Sequence, residues 1–316
     1  MLSRVAESLY WMARYLERAE DLARLINVNS NLVLDLPHRF DFGWEPLIEI
    51  TGDRERFDEL YEELDERSVV RFLVADRRNT GSILSALDLA RENLRTTRDI
   101  VPREAWEQLN DLYMTARQRT HSGVPKRGRY EFLNNLIRSC QQITGLLAGT
   151  MSRNEAYWFI KAGRYLERAD MTTRIVDVRS EDLLAERSDD LTPFENIQWM
   201  SVLKSLTAYQ MYRHHVRLRV RAPDVLRFLL QHELFPRAVV HCLGEVTASL
   251  QHLPNHGAPV HAVHVVQADV REVDVQMLWQ DELHRFLDRL QVSIADLHGE
   301  INATWFAVEQ EDEDGS

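Results

Sequence analysis

A seven-residue segment that occurs twice constrains the fold of this chain more than any other feature. Both copies read Arg-Tyr-Leu-Glu-Arg-Ala and then an acidic residue, from Arg14 to Glu20 and from Arg164 to Asp170. Each copy lies in a stretch with apolar residues at helical spacing, residues 1–28 and 151–178. At about 100° per residue, one side of each helix is apolar and another is charged. Because a solvated face needs only polarity, a repeated charge pattern indicates partners that meet those charges.

Other landmarks repeat in the same order. Trp199 follows Trp44 by 155 residues, and Phe228 follows Phe72 by 156. Such offsets are typical of an internal duplication with small loop insertions, and they are far longer than the roughly 20–50 residues of solenoid repeats. We therefore predict an all-α fold, a pseudo-twofold duplicated helical bundle whose two similar halves share a core within a single domain, residues 1–316.

The first repeat is predicted to cover about 1–125 and the second about 151–306. Residues 307–316 are rich in Glu and Asp and are predicted to form an acidic disordered tail. The helices that carry the repeated segment, here called the signature helices, are expected near the pseudo-twofold axis. Their matching Arg and Glu side chains are expected to face a common cleft.

Local patterns predict individual elements elsewhere. Residues 82–98 and 278–306 have the spacing of amphipathic helices, and a helix from Tyr130 is predicted to run into the second repeat. The segment 255–266 is ambiguous, because its alternation also suits a short strand. We predict a loop there that leads into a helix near Val270.

Composition and charge restrict the classes of function. The net charge of −12 argues against general binding to nucleic acid or to an anionic membrane. Cys140 and Cys242 are the only cysteines, and both lie in apolar helical runs, which indicates buried thiols in a reducing compartment. The N-terminal stretch is an amphipathic helix rather than a signal peptide, and no stretch approaches the roughly 20 apolar residues of a membrane span. A cytoplasmic location is expected.

The repeated charged side chains form the first candidate site. They are Arg14, Glu17, Arg18 and Glu20 in the first copy, and Arg164, Glu167, Arg168 and Asp170 in the second. One interpretation is a surface salt-bridge ladder, worth a few tenths of a kcal/mol per pair. The other is a pseudo-symmetric site whose guanidinium groups bind carboxylate or phosphate, and whose carboxylates orient an amine or act as a base.

Three further residues are candidates on weaker patterns. Arg91 and Glu92 belong to a similar charged run, in which Arg91 and Arg95 lie one turn apart on a helix face. Arg237 follows Pro236 where a helix is predicted to begin, a position that favours anions.

No metal site and no cofactor are predicted. The chain has 12 His, but neither Glu-x-x-His nor His-Glu-x-x-His occurs. The histidines between His252 and His264 fall in a loop-like stretch and are interpreted as a fortuitous cluster. The chain also lacks a Gly-rich phosphate loop, a Gly-x-Ser-x-Gly elbow and a redox or catalytic cysteine motif.

Several segments give the chain a resemblance to a known family. They are Met1 to Arg4, Tyr10 to Met12, Arg14 to Glu20, Asn79 to Ile83, Ala90 to Arg95, Trp106 to Tyr113, Tyr165 to Asp170 and Phe235 to Val239. On these segments the chain resembles the bacterial alpha-E family, a helical domain whose biochemical role is not established. Family members usually have Gly at Ala13, Pro-Ser at Thr80 and Gly81, and Ser at Ala238.

The resemblance implies genomic association with a circularly permuted ATP-grasp ligase, a transglutaminase-like protein and sometimes a proteasome-related hydrolase. That setting implies a role in making or processing a peptide or another amide-linked product. It implies no catalytic residue. It implies membership of the family's motifs for nine residues: Arg14, Glu17, Arg18, Glu20, Arg91, Glu92, Glu167, Arg168 and Asp170.

Three functions remain open at this point. The leading hypothesis is a non-catalytic partner of an ATP-grasp amide ligase, which binds the ligase or a carboxylate-bearing peptidic substrate through the Arg and Glu side chains. A rival is an enzyme acting on amide bonds, with Glu17 or Glu167 as general base. The third is a scaffold whose charged helices pair only with each other.

Overall fold

A computed structural model describes residues 1–35, 43–121, 124–184, 192–216, 220–278 and 281–307. These residues form fourteen helices and no strand, which confirms the all-α prediction. None of these helices is long and apolar enough to cross a membrane. The helices are α1 Ser3–Asp35, α2 Glu45–Thr51, α3 Arg54–Leu60, α4 Glu66–Val74, α5 Ile83–Thr96, α6 Arg103–His121, α7 Lys126–Thr150, α8 Glu155–Leu184, α9 Thr192–Ser205, α10 Tyr209–His215, α11 Ala222–Gln231, α12 Val239–Leu250, α13 Gly257–Glu272 and α14 Asp281–Trp305.

The two signature helices, α1 and α8, pack against each other at the centre of the fold. They run side by side in the same direction, since contacts between them advance together along both. The Met1 amino group donates to Glu155 Oε2 at 2.8 Å, and farther along Arg168 Nε donates to Glu17 Oε1 at 2.7 Å. Helices α5, α7 and α9 also surround α1, so its charged side as well as its apolar side is largely buried.

A glycine allows α1 and α8 to approach closely. A Cβ atom on Gly163 would lie 2.4 Å from the carbonyl oxygen of Tyr10, a distance that real Cβ atoms do not tolerate. The matching position in α1 is Ala13. Gly163 is thus required by the contact between the backbones.

The remaining helices form a layer around each signature helix. Helices α5 and α7 pack on α1, and α6 packs on both of them; helices α12 and α14 pack on α8 in the same way, with α13 on both. Helix α2 crosses to α8, and α9 crosses to α1. The buried apolar side chains form one continuous cluster from Ala6 to Phe306.

The predicted loop at 255–266 is wrong, because α13 occupies this segment. Pro259 lies in the first turn, where its missing N–H does no harm. Val260, Val263 and Val270 follow at multiples of about one helical turn and are buried. The apparent alternation was therefore the buried face of a helix rather than a loop or strand.

The predicted continuation of the helix from Tyr130 into the second repeat is also wrong, because α7 ends at Thr150 and α8 begins at Glu155. Arg153 Nη2 donates to the carbonyl oxygen of Ala148 at 2.6 Å and so satisfies an acceptor that the end of α7 leaves free. The predicted helices at 82–98 and 278–306 correspond to α5 and α14. All but the first residue of the predicted tail, 307–316, lie outside the described residues.

Candidate functional site

The charged sides of α1 and α8 meet at their interface, where Glu167 is held by two arginines of the first signature segment. Arg14 Nε donates to Glu167 Oε2 at 2.7 Å, and Arg18 Nε donates to Glu167 Oε1 at 2.6 Å. The Glu167 side chain is 1% exposed, against 10% for Arg14 and 26% for Arg18. Both carboxylate oxygens thus accept a charge-assisted hydrogen bond, the stronger kind.

Glu17 has the reciprocal arrangement on the other helix. Arg168 Nε and Nη2 donate to its two oxygens at 2.7 and 2.9 Å, a bidentate pair. The second cation is Arg237, whose Nη2 lies 3.0 Å from Glu17 Oε1. Arg237 precedes α12 and is buried, so the predicted candidate at this helix start does join the signature residues.

Three more side chains extend this arrangement along α1. Arg237 Nη1 donates to Asp21 Oδ1 at 2.6 Å, and its Nη2 lies 3.3 Å from Glu20 Oε1. Glu20 also pairs with Arg24 one turn later and accepts from Gln141 Nε2 at 3.1 Å. We call the following set the ion-pair network: Arg14, Glu17, Arg18, Glu20, Asp21, Arg24, Glu167, Arg168 and Arg237.

The second signature segment carries a pair that matches Glu20 and Arg24. Arg174 Nε donates to Asp170 Oδ2 at 2.9 Å, again one turn apart on the same helix. The predicted acidic position at the end of each segment thus has the same kind of partner in both copies.

Burial and the neighbouring cations set the ionisation of the two central carboxylates. Burial opposes the charge on Glu17, but Arg168 and Arg237 outweigh it and lower the pKa of Glu17 to about 2. For Glu167, burial is outweighed by Arg18 and Arg14, which lower its pKa to about 2. Both groups are therefore weak bases that stay ionised at neutral pH.

Asp21 is the exception among the buried carboxylates. Burial raises its pKa, and the nearby charges of Glu17 and Glu20 add to the rise, against the attraction of Arg237. Its Oδ2 is buried and has no hydrogen-bond partner among the described residues. Asp21 therefore carries its charge at a cost in this interface.

Arg164, the counterpart of Arg14, does not reproduce the Arg14 contacts. Its Nε is buried and has no hydrogen-bond partner within the described ranges, and its guanidinium carbon lies 4.9 Å from the Tyr165 ring centroid. It lines a small cavity between α1, α7 and α8, with about 20 Å³ of space, room for about one water molecule. The expected common cleft is thus filled by ion pairs, and this cavity borders only Arg164 among the candidates.

An aromatic edge adjoins Arg14. Its guanidinium carbon lies 4.7 Å from the Trp11 ring centroid, and Tyr10 stacks on His298 of α14 with centroids 5.6 Å apart. Burial and the positive charge of Arg14 lower the pKa of His298 to about 4, so this imidazole is neutral at pH 7. The aromatic groups thus cover the ion pairs on this side with uncharged surface.

Arg91 and Glu92 lie away from the ion-pair network, on α5 beside α6. Arg91 Nε donates to Asn110 Oδ1 at 2.8 Å and Nη1 to Glu92 Oε1 at 2.6 Å, while Arg95 Nε donates to Glu92 Oε2 at 2.8 Å. The Arg91 guanidinium carbon also lies 5.5 Å from the Trp106 ring centroid. The structure therefore does not bring this pair together with the signature residues.

One group in the described part of the chain has donor atoms close enough for a metal ion, namely Asp177, His284 and Asp288. His284 Nδ1 lies 2.8 Å from Asp177 Oδ1, and its other ring nitrogen lies 3.4 Å from Asp288 Oδ2. The two nitrogens of the imidazole thus face two different carboxylates. The two cysteines are buried, and burial raises the pKa of both thiols.

Sequence reasoning missed Asp21 and Arg24 as candidates. Both follow the first signature segment on the same helix, and Arg24 lies one turn beyond Glu20. Because Arg24 lies four residues after Glu20 and has the opposite charge, the sequence alone could have indicated the Glu20–Arg24 pair. The Asp21–Arg237 contact joins residues 216 positions apart, so no local pattern contains it.

The family comparison agrees with this geometry. The chain matches, over residues 1–306, the family described as "Alpha-E: a predicted alpha-helical domain with a conserved ER motif". This chain belongs to the Alpha-E family. No curated protein and no solved structure matches it. Glu17–Arg18 and Glu167–Arg168 are adjacent Glu-Arg pairs of this Alpha-E protein, and all four side chains belong to the ion-pair network.

Proposed function

We propose that this Alpha-E protein is a non-catalytic partner of an ATP-grasp amide ligase, and that it binds the ligase or a carboxylate-bearing peptidic substrate. The observation that carries the non-catalytic part is the closure of Glu17 and Glu167, each by two guanidinium groups of the same chain. A general base must reach the proton that it removes, and these carboxylates are about 1% exposed with pKa values near 2.

The role we propose for the ion-pair network is to fix α1 against α8. Buried ion pairs add little net stability over apolar packing, but they penalise every arrangement in which one partner is left alone. The network thus selects a single register between the two signature helices. On this proposal, the charged residues of the signature segments act as a scaffold between the two helices, while the protein as a whole acts as a binding partner.

We further propose that the chain arose by duplication, with a pseudo-twofold axis between α1 and α8. Seven helices precede Met151 and seven follow it among the described residues. Helices α5 and α7 pack on α1 as α12 and α14 pack on α8, and α6 packs on the first pair as α13 packs on the second. The crossings of α2 to α8 and of α9 to α1 are reciprocal, as are the Arg18–Glu167 and Arg168–Glu17 pairs. On this proposal the first repeat extends through α7, beyond the predicted residue 125.

A tagged Alpha-E protein tests the proposed function when it is expressed with the ATP-grasp ligase that the family association implies. We expect the ligase to copurify and its amide-forming output to rise in the presence of the Alpha-E protein. The isolated Alpha-E protein should neither form nor hydrolyse the amide product. Absence of both copurification and stimulation would contradict the proposal, and turnover by the isolated protein that Glu17→Gln abolishes would favour the enzyme instead.

A further inference from the structure

A large basic groove lies on the first half of the molecule, away from the ion-pair network. It lies between α4, the turn after α4, the end of α6 and the start of α7, and has a volume of about 1320 Å³. Its charged lining consists of Arg67, Arg71, Arg77, Arg78, Arg117, Lys126 and Arg129 on the basic side, and Asp65, Glu66 and Asp76 on the acidic side. Such an excess of cations stands out in a chain with a net charge of −12.

The carboxylates of the groove are already engaged. Glu66 accepts from Arg129 Nη1 at 2.7 Å and also faces Lys126 at 3.4 Å. Asp76 accepts from Arg78 Nη2 at 2.7 Å and from the Tyr61 hydroxyl at the same distance.

Three exposed arginines in the groove have no such partner. Arg67 and Arg71 lie one turn apart on α4, Arg117 faces them from α6, and none of the three forms an ion pair with a described residue. Three guanidinium groups therefore remain available to an anion from outside.

Arg129 supplies an independent indication that the groove is a binding site. Its residue is 6% exposed, and its Nε is buried with no hydrogen-bond partner among the described residues. The guanidinium carbon lies 5.7 Å from the Trp44 ring centroid, which holds the side chain in place at the groove wall. A buried donor without an acceptor costs free energy that a bound anion would recover.

We propose that this groove binds a carboxylate-rich segment of an extended peptide, with Arg67, Arg71 and Arg117 as its main contacts. The proposal rests on the proposed function and names the site at which the peptidic substrate would be held. Guanidinium forks match carboxylates in bidentate geometry, and several spaced forks suit a chain with repeated carboxylates rather than a single small anion.

Nucleic acid fits the groove less well. Single strands bind to surfaces that combine cations with aromatic stacking platforms, and none of the residues that line the groove is aromatic.

The second half of the chain repeats the cations of the groove only in part. At the offset of 156 residues that relates Phe72 to Phe228, Arg67 corresponds to Pro223 and Arg77 to Glu233, while Arg71 corresponds to Arg227. On the duplication proposed above, two of the groove's cations therefore belong to the first half only, whereas the ion-pair network uses both halves. Cations that belong to one half only are expected of a binding site rather than of a feature that stabilises both halves.

Fluorescence anisotropy with a labelled peptide of ten glutamates tests the proposal. We compare the full chain with the triple variant Arg67→Ala, Arg71→Ala, Arg117→Ala. The matched control is Arg98→Ala, Arg138→Ala, Arg289→Ala, which removes the same charge from exposed arginines outside the groove. We expect a rise in Kd of about tenfold or more for the groove variant and at most about twofold for the control. Equal losses in the two variants, or no binding by the unaltered chain at low salt, would overturn the proposal.

Two further probes identify the chemistry that is recognised. A labelled single-stranded oligonucleotide that bound more tightly than the peptide would overturn the choice of carboxylates, as would inorganic phosphate that displaced the peptide at equal concentration. Copurification of the ligase with the groove variant separates this proposal from the proposed function. If the groove variant loses peptide binding but still copurifies with the ligase, both proposals are supported. If it keeps both peptide binding and the ligase, only the groove proposal is overturned.

Discussion

The two central carboxylates of the ion-pair network are matched in sequence but differ in how they are held. Glu167 receives both of its cations from the opposite signature segment, Arg14 and Arg18. Glu17 receives Arg168 from the opposite segment and Arg237 from the start of α12. Nε of Arg164, the counterpart of Arg14, has no hydrogen-bond partner among the residues that the structure describes.

The difference shows that the repeated motif determines which positions are charged, while the surrounding chain determines which residues pair with them. At the offset of 156 residues, the position that corresponds to Arg237 is Gly81, which has no side chain to offer. Among the described residues, a cation from outside the signature segments therefore pairs with Glu17 and not with Glu167. That cation also engages Asp21, so the Glu17 side of the interface contains a larger buried network.

Removal of the charge on Glu17 or on Glu167 should have the largest effect on stability. The two losses should also show which side of the interface contributes more. Glu17→Gln leaves Arg168 without its charged partner and removes one of the carboxylates that pair with Arg237, which keeps Asp21. Glu167→Gln leaves Arg14 and Arg18 without their charged partner. We expect each to lower the free energy of unfolding by about 3–5 kcal/mol, as is typical when one member of a buried pair is removed. Glu17→Gln should cost more, because the Arg18 side chain is 26% exposed and can be rehydrated. Urea denaturation measures both, and a larger loss for Glu167→Gln would reverse our ranking.

The pH dependence of stability should separate Asp21 from its neighbours. Burial raises the pKa of Asp21 from an ordinary 3.8 to about 7, so the folded state binds a proton more readily than the unfolded state. Stability attributable to Asp21 should therefore fall as pH rises between those values, by up to a few kcal/mol. For Glu17 and Glu167 the sign is opposite, and their contribution is lost as pH falls from 4.5 toward about 2.

Asp21→Asn isolates this contribution. Because asparagine does not titrate, the stability deficit of the variant relative to the unaltered protein should be largest near pH 4 and should shrink by pH 8. Thermal denaturation at intervals of one pH unit measures the two curves. Curves that stay parallel across this range would show that Asp21 does not titrate as described.

The close approach of α1 and α8 gives a smaller and purely steric test. Gly163→Ala places a methyl group 2.4 Å from the Tyr10 carbonyl oxygen, so the helices must separate or shift. We expect a loss of about 1–3 kcal/mol, the usual cost of overpacking. Gly145→Ala in α7 is the matched control, since its added methyl group meets no atom within 4 Å. That control should gain up to about 1 kcal/mol of stability from helix propensity. An unchanged free energy of unfolding for Gly163→Ala would contradict our expectation and show that the two helices can move apart at no cost.

The sequence was sufficient for the parts of the fold that depend on local periodicity or on the repeat. The helical spacing predicted α1, α5, α8 and α14, and the repeated charges predicted that α1 and α8 carry matching residues. Local patterns were not sufficient at 255–266, where valines favour a strand locally but pack on one helix face in α13.

Contacts between distant residues set the limit for the site. Arg237 could be nominated from its place at a helix start, but its contact with Asp21 depends on how α12 packs against α8. The charges of α1 suited both a surface salt-bridge ladder and a shared site, because sequence spacing shows which residues share a face and not whether another charged helix covers it. The basic groove was missed for the same reason, as its cations come from α4, α6 and α7.

The smallest expected effect belongs to the arginine that differs between the two sides. Arg164→Met removes a guanidinium whose Nε has no partner in the described part of the chain and leaves an apolar side chain at the wall of the neighbouring cavity, so we expect a change within about 1 kcal/mol. Arg14→Met, at the equivalent position, deprives Glu167 of one of its two cations and should cost several times more. Parallel urea denaturation of the two variants measures the difference directly. Equal losses would mean that the charge of Arg164 stabilises Glu17 from a distance as much as Arg14 stabilises Glu167 by direct contact. The two sides of the interface would then differ only in their hydrogen bonds.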